Sequence, residues 1–417
     1  MSWDPWMSYA LDWANLLLRW AHVITAIAWV GASFYFVWLD NSLTPPEDAA
    51  LRDKGVGGEL WAVHGGGFYH PQKYLGAPPR LPAHLHWFYW ESYATWLTGF
   101  GLFTVLYLFQ AGTFLVDKTV HDWSPLAAAG TALGFLAGFW LAYDLICRSL
   151  GRRRWLGVSG DAWVGAAVFA VVVAGAWLAC QLFAGRAAFL LVGAMIATAM
   201  SANVFFWIIP GQRQVVAALR AGQPVDPVHG QRGKQRSVHN TYFVLPVLVA
   251  MLSNHHAWLT GAPHNWLVLV LMMLGAALVR QFFVARHKTA VAGRPAPWRW
   301  LLAGLLPPLA VLLWLAPTPT TAPPSVAQAG ETPAKTAAQL EARAQAIVAQ
   351  RCVLCHNARL AHKGVRLDAP EAVRTHAQAI YQQAVVLQAM PLNNATQITA
   401  DERAALGRWF QAGVVAP

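Results

Sequence analysis

The chain has 417 residues, of which 56% are hydrophobic and only 12% are charged, and its formal net charge is +11. No basic run with interleaved aromatic residues forms a nucleic-acid-binding motif, so we expect no nucleic-acid partner. The charged residues are largely excluded from long apolar runs. This pattern predicts a protein embedded in membrane lipid.

Eight apolar segments of the chain approach or exceed the roughly 20 residues that a helix needs to cross a bilayer. An even number of crossings places both chain ends on the same side of the membrane. We therefore predict an all-α fold, in which an eight-helix transmembrane bundle over residues 1–316 precedes a small all-helical domain. The segments lie near residues 14–38, 95–116, 125–146, 162–184, 188–208, 241–260, 266–284 and 299–316.

Lysine and arginine residues in the connecting loops predict the orientation, because they favour the cytoplasmic side. The even-numbered loops hold only Lys118 and Arg186. The odd-numbered loops are therefore expected in the cytoplasm, and both termini in the periplasm, of a bacterial inner membrane. These odd loops hold Arg52, Lys54, Lys73, Arg80, Arg148, Arg152, Arg153, Arg154, Arg213, Arg220, Arg232, Lys234, Arg236, Arg286, Lys288, Arg294 and Arg299.

Histidines occur near the outer ends of two predicted spans. The first span contains His22, and the sixth ends with Asn254, His255 and His256. Polar side chains are costly inside a bilayer and are therefore candidates for function. Two imidazoles from different helices can hold a b-type haem, so we interpret His22, with His255 or His256, as possible haem b ligands. The alternative is a histidine satisfied by a hydrogen bond between helices.

The first and fifth loops, both predicted to be cytoplasmic, are rich in glycine, flat rings, amides and cations. This combination suits a planar anionic heterocycle, because rings stack on it, amides bind its edge and cations neutralise its charge. Metal binding by the histidines and an ordinary interfacial belt of aromatic and basic residues are the alternatives. We predict His239, His64 and His70 as catalytic proton acceptors, and Lys73, Arg213, Arg236 and Asn240 as substrate-binding residues.

The C-terminal part has a different composition. Residues 317–335 are rich in proline, threonine, alanine and serine, which predicts an extended linker. Residues 336–417 contain a C-x-x-C-H motif, in which Cys352 and Cys355 can attach haem covalently and His356 can bind the iron. This segment is therefore predicted to be a cytochrome c domain with one haem c.

Met390 is the predicted second ligand of the haem iron. It lies in a Met-Pro loop between the motif and a final amphipathic helix, and a thioether opposite the histidine raises the reduction potential of the iron. The alternative is that Met390 is a flexible filler of the core.

The order of these parts resembles the membrane-bound urate hydroxylases, which are bacterial urate oxidases with an eight-span domain and a C-terminal cytochrome. The resemblance implies oxidation of urate to 5-hydroxyisourate in purine breakdown. It also implies that electrons leave through haem c to a cytochrome c oxidase or a soluble cytochrome c of the respiratory chain, rather than to oxygen as hydrogen peroxide. It rests on the segments Trp13–Asn41, His64–Tyr74, His84–Trp96, Asn203–Arg213 and His239–His256, followed by the linker and the cytochrome.

Two other functions fit the same residues. The first is a haem-dependent dehydrogenase of another small reductant, such as a porphyrinogen or a quinol, which the His22 helix suggests. The second is a non-catalytic electron carrier anchored in membrane lipid. If urate binds at the cytoplasmic loops, electrons must cross the bilayer to reach the cytochrome, and a membrane haem would assist them.

Overall fold

The computed structural model describes residues 5–76, 78, 80–151, 159–316, 333–358 and 365–413, and the predicted linker falls almost entirely outside them. Most of the described residues are helical, so the all-α prediction is confirmed. The helices that precede the linker are α1 (Pro5–Ser42), α2 (Ala49–Asp53), α3 (Trp90–Phe103), α4 (Ala111–Phe114), α5 (Pro125–Leu150), α6 (Gly160–Leu182), α7 (Gly185–Asn203), α8 (Ile209–Arg220), α9 (Pro227–Leu252), α10 (Ala257–Thr260), α11 (Asn265–Val291) and α12 (Trp298–Trp314).

Five helical stretches among the described residues are long and apolar enough to cross a membrane, and α12 is a shorter apolar helix. One stretch includes both α7 and α8, which a π-helical turn joins without a break. The number of eight spans stays a prediction. The five stretches are Tyr9–Ser42, Pro125–Leu150, Gly160–Leu182, Gly185–Arg220 and Asn265–Val291.

Two predicted spans differ from the helices observed. The segment 95–116 is interrupted, because α3 passes into a π-helical turn and Gln110 then leaves the helical conformation, with φ −122° and ψ 39°. The sixth segment begins well before residue 241, since Asp226 caps α9 and Pro227 occupies its first turn. Its end at 253–255 forms a 3₁₀ turn instead of a continuing helix.

The core of the bundle lies around α7. The fully buried side chains of α7 include Phe189 and Leu191. Helix α7 packs against α5, α6, α9 and α11. Helices α11 and α12 approach closely where Gly275 meets Gly304. A Cβ atom on Gly275 would lie 2.7 Å from the carbonyl oxygen of Gly304, so only a residue without a side chain permits this crossing.

The glycine-rich segment of the first loop forms a long hairpin. Strand β1 (Val56–Glu59) pairs antiparallel with β4 (Gln72–Tyr74), and β2 (Ala62–His64) pairs with β3 (Gly67–Tyr69). Gly65 and Gly66 connect β2 to β3 with φ values of 58° and 79°, the left-handed conformation that a tight hairpin turn requires. The glycines therefore have a structural role in the hairpin.

A C-terminal unit follows the linker and has its own hydrophobic core. It comprises α13 (Pro333–Arg351), α14 (Pro370–Thr375), α15 (Ala377–Ile380) and α16 (Ala400–Gln411). Trp409 is fully buried in this core, and its Nε1 donates to Glu341 Oε2 at 2.6 Å. A 3₁₀ turn, Leu392–Asn394, packs against α4 of the bundle.

Glu402 ties α16 to α13. Its carboxylate accepts from Arg351 Nη2 at 3.0 Å and from the backbone N–H of Thr399 at 2.8 Å. Burial alone raises the pKa of Glu402, but these hydrogen bonds outweigh burial and hold that pKa below its ordinary value. At pH values above the ordinary pKa of a glutamate, the ionised carboxylate of Glu402 therefore stabilises the fold. This stabilisation is lost as the pH falls through the lower pKa that Glu402 has in the folded state.

We expect Glu402→Gln to destabilise the C-terminal unit at neutral pH by about 1.5–3 kcal/mol, the usual contribution of a hydrogen bond to a charged group. Thermal unfolding of the full chain at several pH values would measure the effect, with the exposed neighbour Asp401 changed to Asn as the control. The difference from wild type should shrink in acid. A difference that does not depend on pH would contradict this assignment.

Candidate functional site

The C-x-x-C-H motif lies directly after α13. His356 Nδ1 is 3.1 Å from the carbonyl oxygen of Val365. A carbonyl can only accept, so Nδ1 carries the proton and Nε2 keeps the lone pair that a metal needs. The thiols of Cys352 and Cys355 are both free and partly buried. These residues fit a covalently attached haem.

The loop that carries Met390 is fixed by hydrogen bonds on both sides of the residue. The backbone N–H of Met390 donates to Gln383 O at 2.9 Å, and Arg403 Nη1 donates to Met390 O at 2.8 Å. Arg403 also donates to the carbonyl of Ala384. The thioether therefore belongs to an ordered loop, and sulfur is a suitable axial ligand for haem iron.

A cavity of about 450 Å³ lies between α1, α3, α7 and the end of α9. We name it the His22 cavity. Most of its lining is apolar, and Leu392 of the C-terminal unit also lines it. The cavity therefore reaches the loop that carries Met390, two residues away. Its polar lining includes Arg19, His22, Thr95, Arg186, Asn254 and His255.

His22 is held against α3 by two hydrogen bonds. Its Nδ1 is 3.1 Å from Thr95 O and 3.2 Å from Thr98 Oγ1. The Thr98 hydroxyl donates to Ala94 O at 2.6 Å, so its oxygen accepts from His22. A Cβ atom on Gly99 would lie 2.7 Å from the imidazole, so this close approach requires glycine. His22 Nδ1 therefore carries the proton, and Nε2 is an acceptor.

The two proposed partners of His22 occupy different places. Both histidines are exposed, but only His255 is among the lining residues of the His22 cavity, whereas His256 contacts Trp258 edge to face at 6.1 Å. Within the pair predicted for haem b, the geometry favours His255. The alternative interpretation, in which His22 only forms a hydrogen bond between helices, also fits the structure, because its Nδ1 donates to α3.

A second cavity, of about 710 Å³, lies at the other end of α5 and α9 and includes His239. We name it the His239 cavity. Arg148, Arg232 and Arg236 lie over the ring of Trp207, at 5.7, 5.5 and 5.2 Å from its centroid. This arrangement concentrates positive charge around one indole.

A buried carboxylate, Asp144, organises this second region. It accepts from Arg236 Nη2 at 2.8 Å, from Arg148 Nε at 2.7 Å and from Trp207 Nε1 at 2.8 Å. Arg236 also donates to Asn203 at 3.3 Å, and Asn203 donates to Asn240 at 2.9 Å. The cluster is a continuous hydrogen-bonded network between α5, α7 and α9.

The network continues to His239 through Tyr143. The Tyr143 hydroxyl lies 2.8 Å from His239 Nδ1, and Asn203 Nδ2 donates to the same hydroxyl at 2.9 Å. Arg236, His239 and Asn240, which were predicted as site residues, are thus brought together. Because Arg236 and Asn240 already bind buried partners, their polar groups are largely committed to the fold.

The other residues of the predicted cytoplasmic cluster lie elsewhere. His64 is exposed at the hairpin turn, and His70 Nε2 is 2.6 Å from Glu59 while its ring stacks on Trp61 at 4.0 Å. Lys73 pairs with Asp40. Arg213 is exposed on α8. None of His64, His70, Lys73 and Arg213 lines the His239 cavity, so the predicted cluster is divided rather than assembled.

Four residues of this network, Asp144, Tyr143, Asn203 and Trp207, are not among the site residues predicted from the sequence. The signal for Asp144 was available, because a carboxylate inside the predicted span 125–146 is costly unless it is paired. Its partner Arg148 lies four residues later on the same helix, a spacing that predicts an ion pair, whereas its partner Arg236 lies on α9 and cannot be identified from spacing. In the described part of the chain, no group of three histidine, cysteine or acidic residues could hold a metal ion.

Comparison with known families supports the N-terminal part of this description. The family model described as "Urate oxidase N-terminal" matches residues 8–316. This range includes all the lining residues of both cavities except Leu392, and it ends before the C-terminal unit. No curated protein and no solved structure matches the chain.

Proposed function

Because the chain belongs to the urate oxidase N-terminal family, we propose that it oxidises urate to 5-hydroxyisourate at a bacterial inner membrane. Electrons pass through a covalently bound haem c to the respiratory chain, and no hydrogen peroxide forms. One observation carries this proposal: the His22 cavity is lined both by membrane-domain residues and by Leu392. A reductant in that cavity lies beside the loop that carries Met390.

The C-terminal unit supplies the residues for the haem. Cys352 and Cys355 would attach it, and His356 and Met390 would bind its iron. The haem, when bound, supplies one-electron redox chemistry. The hydrogen bond from His356 to Val365 and the two backbone bonds of Met390 support this assignment, because they fix both ligand-bearing segments.

The reaction defines what the protein must provide. One urate monoanion and one water give 5-hydroxyisourate, two electrons and one proton, as a bond forms between C5 of the ring and the water oxygen. The protein must therefore bind an anion, accept a proton and release electrons singly. A cytochrome c oxidase or a soluble cytochrome c is the proposed acceptor outside the chain.

The contact between the C-terminal unit and α4 supports the proposed orientation. It lies at the end of the bundle that carries Lys118 and Arg186, the only basic residues of the loops predicted to face the periplasm. Oxidation in the His22 cavity would leave the electrons on the cytochrome side of the membrane. The cytoplasmic assignment of the urate site stays a prediction, and it requires electrons to cross the bundle.

Anaerobic addition of urate to the purified full-length protein tests the proposed function. We expect urate to reduce the haem, with two haem equivalents reduced per urate in the absence of oxygen, and no hydrogen peroxide when oxygen is present. Allantoin, which lacks the conjugated purine ring, is the control. A haem that dithionite reduces but urate does not would favour the non-catalytic carrier.

A second candidate function has its own supporting observation. His22 and His255 line one largely apolar cavity, which suits a haem b and a hydrophobic reductant such as a porphyrinogen or a quinol. Extraction of non-covalent haem from the purified protein, and reduction by a quinol in preference to urate, would support this function instead.

A further inference from the structure

The His22 cavity has the charge and the shape for an organic anion. Arg19 and Arg186 line it from α1 and α7, and no Asp or Glu is among the residues described as lining it. In the part of the chain that the structure describes, Arg186 forms no ion pair and donates no hydrogen bond, and Arg19 donates only to Asn15, at 3.2 Å. Two cations without a carboxylate attract an anion.

The same cavity offers a flat surface and amide groups. Trp96 lines it with its indole fixed in place, because its Nε1 donates to Thr198 at 3.2 Å and its ring stacks on Phe100 at 5.1 Å. Asn254 also lines the cavity, and its Nδ2 donates to the hydroxyl of Tyr107 at 3.4 Å. A planar heterocycle needs a ring to stack on, amides for its edge and a cation for its charge.

Proton acceptance is available from His22. Its Nδ1–H is engaged by Thr95 and Thr98, so the tautomer is fixed and Nε2 remains an acceptor. In the His239 cavity, by contrast, Arg236 is bound to Asp144, and the carboxylate of Asp161 lies in the lining together with Arg232 and Lys234. Of these two cavities, the His22 cavity is the one that combines cations and an oriented base with contact to the C-terminal unit, and it has no carboxylate among its described lining residues.

We propose that the His22 cavity is the purine site, with Arg186 as the anion-binding residue and His22 Nε2 as the acceptor of the proton released when water adds to the oxidised ring. This inference rests on the proposed function and deepens it. The urate anion loses two electrons, for which a haem held by Cys352, Cys355, His356 and Met390 would supply one-electron redox chemistry, with a respiratory-chain acceptor as the final oxidant. The proton goes to Nε2, and the C5–O bond forms as a water O–H bond breaks.

Binding and turnover test the two residues separately. Equilibrium dialysis of radiolabelled urate against full-length protein already reduced with ascorbate measures binding without oxidation. Arg186→Gln should weaken binding roughly ten- to a hundredfold, the usual effect of losing a charge-assisted contact. Arg186→Lys, which keeps the charge, should bind urate with an affinity between those of wild type and Arg186→Gln. Arg286→Gln, at an exposed arginine of α11, is the matched control.

His22→Gln should bind urate nearly as well as wild type but should reduce the haem about 10²–10⁴ times more slowly. In wild type, the rate of haem reduction by urate should fall in acid, because the base becomes protonated. In His22→Gln this decrease should be absent. His121→Gln, at an exposed histidine near the same end of the bundle, is the control. An unchanged covalent haem spectrum and an unchanged thermal midpoint would show that both cavity variants are folded.

The outcomes separate this inference from the proposed function. If urate reduces the wild-type haem while the Arg186 and His22 variants bind and react like wild type, the purine site is elsewhere and the proposed function stands. If wild type contains a non-covalent haem that His22→Gln loses, the cavity holds a cofactor and the inference is wrong. If wild-type protein neither binds urate nor is reduced by it, the proposed function itself fails.

Discussion

Replacing Cys352 and Cys355 together with alanine is expected to remove all covalently bound haem from the chain. The two thiols are the only attachment points that the C-x-x-C-H motif provides, and without thioether bonds a haem held by His356 alone is lost on denaturation. Peroxidase staining of a denaturing gel measures the loss. Urate-dependent reduction should disappear with it.

The matched control for this change is the pair Cys147→Ala and Cys180→Ala. Both of these cysteines are free and buried in the bundle, so their replacement should leave haem staining unchanged.

A Met390→Ala variant should keep the covalent haem but lose the weak sulfur-to-iron band near the red end of the spectrum. Persistence of that band would assign the sixth ligand to another residue.

The second large effect is expected at Asp144, whose side chain is 2% exposed and pairs with Arg236, itself 3% exposed. Asp144→Asn preserves the shape but leaves the guanidinium of Arg236 buried beside a neutral group. Breaking a buried ion pair in this way costs about 3–5 kcal/mol. Thermal unfolding of the full-length protein in detergent should show a correspondingly large decrease in the midpoint.

The control and a rescue variant make this prediction specific. Asp122→Asn removes an exposed carboxylate whose ion-pair partner among the described residues is Lys118, and it should change stability by at most about 1 kcal/mol. Replacing Asp144 with leucine and Arg236 with methionine together should recover part of the loss, because no unpaired charge between them is left buried. Wild-type stability of Asp144→Asn would mean that the ion pair contributes little.

The all-α class and most helices were predictable because each depends on a local pattern. Apolar runs of sufficient length gave α1, α5, α6, α7 and α11, which the structure confirms as long apolar helices. Helix α9 was located less well, since its first half is polar and its limits depend on the cap at Asp226. The glycine-rich loop was interpreted as a ligand contact, but its left-handed residues form a hairpin turn.

The spatial grouping of the predicted site residues could not be obtained from the sequence. Residues of one helix, such as Arg236, His239 and Asn240, were grouped correctly because helical spacing keeps them together. The hairpin histidines His64 and His70 are predicted in the same cluster because both loops are predicted on the cytoplasmic side. A shared side of the membrane does not determine the distance between two side chains. The cavity lined by His22, Arg186 and Leu392 joins distant segments, so only tertiary packing reveals it.

The ion pair between Asp144 and Arg236 has a consequence for how the chain enters the membrane. Helix α9 is absent from the long apolar stretches found among the described residues, and it carries Arg236, which is buried near the predicted cytoplasmic end of the sixth span, where a charge is costly unless it is paired. The carboxylate that offsets this charge arrives earlier, on α5. We therefore expect α9 to be retained in the bilayer only after α5 is in place. A chain carrying Asp144→Asn should be defective in membrane insertion, whether or not urate is present.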